Sequence, residues 1–528
     1  MITNGLFPEV VLFSDLRWFA HLKACWYSED NMPQSTSAPD KPLTLTRTRW
    51  EDTGIRFFPF HVVLGVSLAI PIFIFMRKSM ADPDIWWHFR NAQYLLAHHR
   101  FPLVDEYSFT AAGASWLPHE WLSEVFYYFA FRVAGLRGVF FLALALIEAI
   151  MLGLFYIAYR KSGDIKNSFL ATAFAVLLAT VSIGPRTLLF GWLCMLVLLN
   201  LLRKLEDGEE IRIWVIPALF CLWVNLHGSW LMGMVVFGIV IASGLVEGSW
   251  GQLDAVRWAP RQLRRLLITA GASLGALFAN PCGYRIVFYP FDLAFRQKMG
   301  INHVDEWMSI DFHTPRGKLA LIFLLTIILL AVLSPRRWKL NELLFVFLGL
   351  YMSLTYVRLL FLGALLITPI LASHIKLLPP YQKEIDKPAL NCVILTTALV
   401  FLLIKTPGPA QLENKITSVY PVRAVEYMKS HSIRGRMLNE YLWGGYLIWN
   451  NPDLPVFIDG RADIFDHTGV FKDYMAAVSI QDSFAILDKY HVNLVLVSPG
   501  SATSYLLKNN SGWNIKYQDD MSVLFEKR

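Results

Sequence analysis

Long hydrophobic runs alternate with short polar segments through the first 405 residues of the chain. Eleven runs are each about as long as a helix that crosses a bilayer, so eleven membrane-spanning helices are predicted. They are expected at residues 58–76, 136–159, 166–184, 187–203, 212–227, 229–247, 266–281, 317–334, 339–356, 359–377 and 389–405. This pattern is typical of a polytopic α-helical membrane protein.

Basic residues collect in the segments that follow the even-numbered runs. These segments contain Arg160-Lys161, Arg203-Lys204, the four arginines of 257–265, Arg336-Arg337 and the lysines of 376–387. Short loops rich in Lys and Arg face the cytoplasm. We therefore predict a cytoplasmic N-terminus and, because the number of spans is odd, an extracytoplasmic C-terminal region.

The composition agrees with a membrane protein. With 55% hydrophobic and 17% charged residues, the chain is too apolar for an ordinary soluble protein. The net charge of +7 does not indicate nucleic-acid binding, because the basic residues lie in short loops and no base-reading motif is present. The lipid bilayer is the expected partner. The five cysteines are scattered and predict neither a disulfide framework nor a cysteine metal site.

Polar segments flank the hydrophobic region at both ends. Residues 1–56 are predicted to be a flexible cytoplasmic tail, and 57–405 a transmembrane domain with its first extracytoplasmic loop at 78–135. Residues 406–528 are expected to form a soluble extracytoplasmic α/β domain. Its predicted strands are Leu454–Ile458, Val492–Val497 and Ser522–Phe525, and its predicted helices are Tyr420–Ser430, Ser483–Tyr490 and Ala502–Asn509.

The stretch 81–124 is the longest polar interruption of the hydrophobic region. Its ionisable residues include Asp82, Asp84, His88, Arg90, Asp105, His119, Glu120 and Glu124, and they are interleaved with Trp86, Trp87, Trp116 and Trp121. Ionisable groups beside tryptophan at the end of a span indicate a site at the membrane interface. The tryptophans are candidates for stacking on sugars or, alternatively, for a membrane-interface belt.

Two carboxylates, Asp82 and Asp84, follow the first predicted span directly. Pro83 between them fixes its own φ and favours an extended Asp82. This arrangement is suited to holding both carboxylates towards a divalent cation, Mg²⁺ or Mn²⁺, or towards a nucleophile. The alternative is an Asp-rich turn that only ends the helix.

His119 and Glu120 follow Pro118, a good first residue for a helix. A helix beginning there presents Glu120 and Glu124 on one face. The alternative is a solvated amphipathic helix on the membrane surface. The sequence HEWLSE is not HExxH, so a zinc protease is not indicated.

Further polar residues are predicted on the same extracytoplasmic face. Arg186, His227 and Arg358 lie in short turns there, and Glu306 lies in the 284–316 loop. Arginines in such turns are candidates for holding an anionic group such as a phosphate. Glu148 lies near the middle of the second span, where a carboxylate is either functional or a helix-packing partner.

Two glycine-containing segments of the C-terminal region are candidates for capping the site. They are Asn439 to Tyr446 and Ile458 to Asp463. Paired glycines allow close backbone approach, and Arg461 and Asp463 are positioned to form a salt bridge. Purely structural turns are the alternative.

These residues together resemble the GT-C superfamily of membrane glycosyltransferases, which use polyprenyl-phosphate-linked sugars. It includes oligosaccharyltransferase catalytic subunits, protein mannosyltransferases and lipid A aminoarabinose transferases. Similar blocks, DPDxWWH, HEWL, NLHG, WGGYLIW and FIDGRAD, occur in bacterial multi-pass members and lie here at 82–88, 119–122, 225–228, 443–449 and 457–463. The resemblance spans roughly residues 58–528.

The resemblance implies a bacterial inner-membrane enzyme of the cell envelope that transfers a hexosyl or pentosyl group to a glycan, lipid or protein acceptor. Asp82 or Asp84 is the implied catalytic carboxylate, either a base or a metal ligand, with His119 and Glu120 as further catalytic candidates. The candidates for binding substrate or phosphate are Trp87, His88, Arg90, Arg186, His227, Glu306 and Arg358. A WWDYG-like motif is missing from the sequence, so sequon-dependent protein glycosylation is not supported.

Two other functions fit parts of the pattern. A transporter or flippase of a lipid-linked or anionic substrate would use Glu148 and the polar turns as a path, but the charged residues concentrate at one face and no inverted repeat is detected. A non-catalytic scaffold would not need the acidic cluster of 82–124.

Overall fold

Helices make up most of the described chain in this computed structural model, as the hydrophobic runs predict. The structure describes residues 58–180, 182–296 and 305–528. The predicted cytoplasmic tail, 1–56, lies outside the described residues.

Thirteen helices are described before residue 406, and we number them in chain order. They are α1 (Phe60–Lys78), α2 (Ile85–His98), α3 (Trp121–Ser162), α4 (Ile165–Ala179), α5 (Leu188–Glu206), α6 (Val215–Leu226), α7 (Trp230–Ser243), α8 (Pro260–Ala276), α9 (Tyr284–Arg296), α10 (Pro315–Leu333), α11 (Leu340–Thr355), α12 (Leu360–His374) and α13 (Pro388–Lys405).

Six of the described helices are long and apolar enough to cross a membrane: α1, α3, α5, α10, α12 with the turn before it, and α13. Four shorter helices, α4, α6, α7 and α11, are also apolar. The prediction of a mostly helical chain with several candidate spans is confirmed, whereas the number eleven stays a prediction. The predicted span 266–281 overlaps α8, which begins with three arginines in its first six residues and is not among these apolar helices.

A break divides α3 into two arms. Ala134 and Gly135 leave the helical conformation, and Gly135 has φ 58° and ψ −145°, which glycine adopts without a Cβ clash. The arm after the break coincides with the predicted span 136–159. The arm before it, 121–133, carries Ser123 and Glu124 of the HEWLSE segment, and both are buried.

Helix α12 lies at the centre of the packing. All fifteen of its residues are buried, and it packs against α3, α4 and α11. The contact with α11 is close because Gly349 and Gly363 face each other: a Cβ on Gly363 would collide with the Gly349 carbonyl. This core fixes the helix ends that carry the site.

A small three-stranded sheet precedes the C-terminal region and consists of β1 (Gly248–Trp250), β2 (Leu253–Ala255) and β3 (Trp338–Lys339). The C-terminal region contains a four-stranded mixed sheet of β4 (Met437–Asn439), β5 (Leu494–Val497), β6 (Trp513–Gln518) and β7 (Val523–Lys527), in which β5 and β7 are the central strands and β4 and β6 the edges. Its helices are α14 (Pro409–Thr417), α15 (Val422–Ser430), α16 (Gly444–Asn450), α17 (Ala462–His467), α18 (Val470–Val478), α19 (Ser483–Lys489) and α20 (Ala502–Lys508). Strand β4 is parallel to β5, and the other pairs are antiparallel.

The predicted strand Leu454–Ile458 is wrong, because this apolar segment forms only isolated bridges. Val456 pairs with Ser108 of the first loop and with Met437 of β4. The segment therefore joins the first loop to the C-terminal sheet, and the described residues from 58 to 528 belong to one compact unit. A domain boundary near residue 406 and the side of the membrane on which each part lies stay predictions.

Candidate functional site

The DPD segment forms the turn between α1 and α2. The backbone N–H of Asp84 donates to Asp82 Oδ1 at 3.0 Å, which closes the turn around Pro83. Asp84 is the residue just before α2, and Asp82 is only 6% exposed. The turn thus ends one helix and starts the next, but it also points both carboxylates into a polar interior.

A row of alternating charges begins at Asp82. Asp82 Oδ2 accepts from Arg186 Nε at 2.8 Å, and Arg186 Nη1 lies 2.6 Å from Glu306 Oε1. Glu306 Oε2 lies 3.9 Å from Arg358 Nη1, and the Arg358 guanidinium lies over the Trp307 ring. Three turns that are far apart in sequence therefore meet beside the DPD segment.

Asp84 differs from Asp82 in its partners. Its Oδ1 accepts from Trp87 Nε1 at 3.1 Å, and among the described residues it forms no ion pair. Burial, followed by the nearby negative charge of Asp82, raises the pKa of Asp84 to about 7. Such a carboxyl exchanges a proton near neutral pH, as a general base requires.

Glu120 lies at the centre of a second group, surrounded by three histidines. His227 Nε2 is 3.2 Å from Glu120 Oε1, and His88 and His119 are each 3.8 Å from the carboxylate. The Thr187 hydroxyl donates to Glu120 Oε2 at 2.8 Å. Burial alone would raise the pKa of Glu120, but the histidines and this hydrogen bond lower it to about 2.

The hydrogen bonds fix the tautomer of His227. Its Nδ1 accepts from the Ser229 N–H at 3.0 Å, so the ring proton of the neutral imidazole lies on Nε2, the nitrogen that is 3.2 Å from Glu120 Oε1. Burial lowers the pKa of His227 to about 4 although Glu120 opposes this. His227 is therefore a neutral imidazole beside an ionised carboxylate.

Glu124 holds the opposite side of His88. Its Oε1 is 2.9 Å from His88 Nδ1 and accepts from Asn91 Nδ2 at 3.0 Å. Burial disfavours the imidazolium, but the Glu124 hydrogen bond and the negative charges of nearby carboxylates together outweigh it and raise the pKa of His88. Glu120 and Glu124 are 7% and 2% exposed, so the alternative of a solvated surface helix is wrong.

One detail of the predicted HEWLSE helix needs correction. Helix α3 begins at Trp121, and Pro118, His119 and Glu120 form the turn before it. Thr187, just before α5, holds Glu120 through its hydroxyl hydrogen bond.

The C-terminal region forms one wall of the site through its glycines. A Cβ on Gly460 would collide with Asp84 Oδ1, and a Cβ on Gly445 would collide with the Pro83 carbonyl. The absence of a side chain at these two positions is what lets the FIDGRAD and WGGYLIW segments touch the DPD turn. Sequence analysis did not identify these contacts, although the two glycine-containing segments were singled out.

A further carboxyl, Asp463, reaches the site beside His119. Tyr289 donates its hydroxyl to Asp463 Oδ2 at 3.2 Å, and its ring stacks on His119 with 4.2 Å between centroids. Burial raises the pKa of Asp463, against the effect of His119 and Arg461. Tyr289 was not predicted, and no motif signals it.

Arg461 does not pair with Asp463, as was predicted, but with two other aspartates. Its Nη2 is 2.7 Å from Asp459 Oδ2 and 2.7 Å from Asp105 Oδ1. All three side chains are at most 1% exposed. The buried triad ties the FIDGRAD segment to the first loop and so holds Gly460 against Asp84.

Several predicted residues lie elsewhere or act differently. Arg90 donates to Gln93 at 2.7 Å and lines a separate small cleft with Tyr107. Trp86, Trp87 and Trp116 are 4%, 6% and 3% exposed, so a membrane-belt position is wrong for all three. Trp87 instead packs against His88 and binds Asp84.

Glu148 lies in the arm of α3 that follows the break. It follows the break in α3 by thirteen residues, which is roughly 20 Å along the helix. Its Oε2 is buried and has no hydrogen-bond partner among the described residues. Whether this carboxyl acts or only packs stays a prediction.

The carboxylate pair does not fit a preformed metal site. Both oxygens of Asp82 and one of Asp84 already accept hydrogen bonds from protein groups. Across the part of the chain that the structure describes, no group of three or more His, Cys, Asp or Glu is arranged for a metal ion. A role for Mg²⁺ or Mn²⁺ stays a prediction, tested by chelation and metal re-addition in a transfer assay.

Comparisons with known proteins leave the family open. No family model matches the chain, and no curated protein matches it. Among solved structures, the crystal structure of ArnT from Cupriavidus metallidurans bound to undecaprenyl phosphate is similar, at 14% identity and a TM-score of 0.48, over 88% of this chain and 97% of that one. A likeness this weak carries no argument about activity, so function has to be argued from the site.

Proposed function

We propose that this protein is a membrane glycosyltransferase that moves a sugar from a polyprenyl-phosphate donor to an acceptor at the extracytoplasmic face. The observation that carries the proposal is the unequal pair at the DPD turn. Asp82 is neutralised by Arg186, whereas Asp84 keeps a carboxyl with a pKa of about 7. The pair thus provides one structural carboxylate and one proton acceptor.

In this reaction Asp84 takes the proton of an acceptor hydroxyl. The acceptor oxygen forms a bond to the anomeric carbon of the sugar while the bond from that carbon to the phosphate oxygen breaks. The polyprenyl phosphate leaves with the electron pair and stays in the bilayer through its chain. Arg186 and Arg358 are positioned to stabilise the negative charge that develops on the phosphate.

An apolar groove beside the site supports a lipid-linked substrate. It has a volume of about 570 Å³ and is lined by α6 residues such as Leu222, by 278–281 and by Trp121. Trp121 is adjacent to Glu120, so the groove begins next to the polar cluster.

The histidine-ringed Glu120 is suited to binding rather than to proton transfer. A carboxylate with a pKa of about 2 is a poor base but a good acceptor for hydroxyl groups. We therefore assign Glu120, with His119 and Asp463 beside it, to holding sugar or acceptor hydroxyls.

The test is transfer of labelled sugar from a panel of polyprenyl-phosphate hexoses and pentoses to an envelope extract, using the full chain in lipid nanodiscs. Asp84→Asn should lower the rate at least about 100-fold, the usual contribution of a general base. Asp488→Asn removes an exposed carboxylate that pairs with Lys527 and is the matched control, with the wild-type rate expected. Transfer by Asp84→Asn at the wild-type rate would refute the assignment.

The transporter or flippase alternative is favoured by one observation, the unpartnered carboxyl of Glu148. It predicts that the wild-type protein moves a lipid-linked sugar across proteoliposomes without transferring it. Loss of that movement in Glu148→Gln, with no transfer by the wild type to any acceptor fraction, would replace the glycosyltransferase proposal.

A further inference from the structure

The Glu306 carboxylate occupies the space between Arg186 and Arg358. Its two oxygens face different arginines, at 2.6 Å from Arg186 and 3.9 Å from Arg358. The turn that carries it, Asp305–Trp307, is tied beside Arg358 because the Val357 N–H donates to the Met308 carbonyl at 3.0 Å. An anion of the chain thus lies where two cations converge.

The two anions bound to Arg186 are not equivalent. Asp82 contacts Nε of Arg186, and its side chain is 6% exposed. Glu306 contacts Nη1 of Arg186, and its side chain is 30% exposed. The side chains of Arg186 and Arg358 are themselves 23% and 32% exposed. A ligand arriving from solvent or the membrane surface therefore meets Glu306 first, while Asp82 stays buried behind it.

Burial disfavours ionisation of Glu306, yet Arg186 and Arg358 lower the pKa of this carboxyl. Arg316 adds a further positive charge nearby. The group is consequently an anion at neutral pH, with two oxygens directed at guanidinium groups as phosphate oxygens would be.

We propose that Glu306 is an intramolecular stand-in for the phosphate group of the lipid, and that substrate binding displaces its carboxylate from Arg186 and Arg358. The identity of the ligand rests on the proposed function. After transfer, Glu306 returns to the arginines and helps to expel the polyprenyl phosphate, whose monoester carries more negative charge than the donor diester. The residue thus limits affinity for the product.

The size of the effect follows from competition for one site. If Glu306 holds the arginines for about 90% of the time, the apparent affinity for a phosphate is reduced about tenfold. Removing its charge should therefore tighten phosphate binding by that factor. A residue with only a structural role would weaken binding or leave it unchanged when replaced.

The experiment measures equilibrium binding of farnesyl phosphate to the full chain in nanodiscs. Glu306→Gln should lower the Kd about tenfold, and Glu306→Asp, which keeps a competing charge, should stay closer to wild type. Glu526→Gln, a carboxylate paired with Lys516 on the last strand, is the matched control. Farnesol, which has no phosphate, should bind the wild type and Glu306→Gln equally.

Inorganic phosphate separates a lipid headgroup site from a general anion site. Tightening with farnesyl phosphate alone supports the lipid, and equal tightening with inorganic phosphate overturns the lipid assignment. An unchanged or raised Kd for farnesyl phosphate in a Glu306→Gln protein with wild-type thermal stability overturns the proposal. Tighter binding in a protein that transfers no sugar would instead retain this inference and remove the glycosyltransferase proposal.

Discussion

The acidity of Asp84 makes the pH dependence of sugar transfer the most informative measurement. Burial and the charge of Asp82 raise the pKa of Asp84 to about 7. A general base works only when ionised. The transfer rate should therefore rise with pH to a plateau above neutrality.

The ionised fraction of Asp84 determines how far the transfer rate falls at low pH. One pH unit below the pKa, about a tenth of Asp84 is ionised, so kcat/KM should be about tenfold below its plateau, and about 100-fold below it one unit further down. Asp82→Asn removes the like charge and also removes one of the two carboxylate partners of Arg186, leaving Glu306. Both changes favour the ionised form of Asp84, so the midpoint should move to lower pH by about one unit.

Initial rates at low donor concentration, measured from about pH 5 to about pH 9, report the groups of the free enzyme. Glu120 and His227, with pKa values of about 2 and about 4, titrate below this window. The pKa of His88 is raised mainly by Glu124, with smaller effects of Glu120 and Asp84. Replacing Asp82 should therefore leave the titration midpoint of His88 nearly unchanged. The shift in Asp82→Asn therefore identifies Asp84.

Two results would refute this reasoning. One is a flat profile through neutral pH in the wild type when the chemical step limits the rate. The other is a midpoint in Asp82→Asn that stays in place or moves to higher pH. Asp488→Asn should reproduce the wild-type profile, which excludes a general effect of removing one carboxylate.

Three further outcomes are expected. Gly460→Ala should lower the transfer rate at least about tenfold, because the alanine Cβ would collide with Asp84 Oδ1 and displace this carboxyl. Donor binding should change little, so a titration with donor should show a lower kcat and a similar KM. Arg461→Leu leaves two buried aspartates without their cation and should cost about 3–5 kcal/mol, seen as a large fall in Tm that Arg461→Lys partly restores. Glu148→Gln should retain at least half of the wild-type transfer rate, because Glu148 Oε2 has no hydrogen-bond partner among the described residues and so does not hold a site residue; a rate near zero would contradict this.

The helical architecture was accessible from the sequence because each helix is encoded locally. Hydrophobic runs of sufficient length determine helices such as α1, α10 and α13, whose bounds differ from the predicted ones by a few residues. The failed strand prediction has the opposite origin, because it depends on contacts between distant segments. Leu454–Ile458 is apolar enough for a strand, but its only pairings are bridges to Ser108 and Met437, and the sequence does not encode those partners.

The site was predictable in its residues but not in its pairings. The sequence predicted polar turns on one membrane face, and these turns contain Asp82, Arg186, Glu306 and Arg358. The structure brings these four residues together. Their chemical roles stay predictions. The pairing of Arg461 with Asp105, across more than 350 residues of sequence, has no spacing signal, and a nearer carboxylate was chosen wrongly.

The different ionic partners of Asp82 and Asp84 could not be predicted from the sequence. Both carboxylates are adjacent to Pro83, and nothing in the local sequence separates them. Arg186, more than 100 residues later, selects Asp82 and leaves Asp84 protonatable near neutral pH. The same arginine also faces the proposed phosphate position. Because the phosphate would replace the Glu306 carboxylate on that arginine, one anion takes the place of another, and the pKa of Asp84 should stay close to that of the free enzyme.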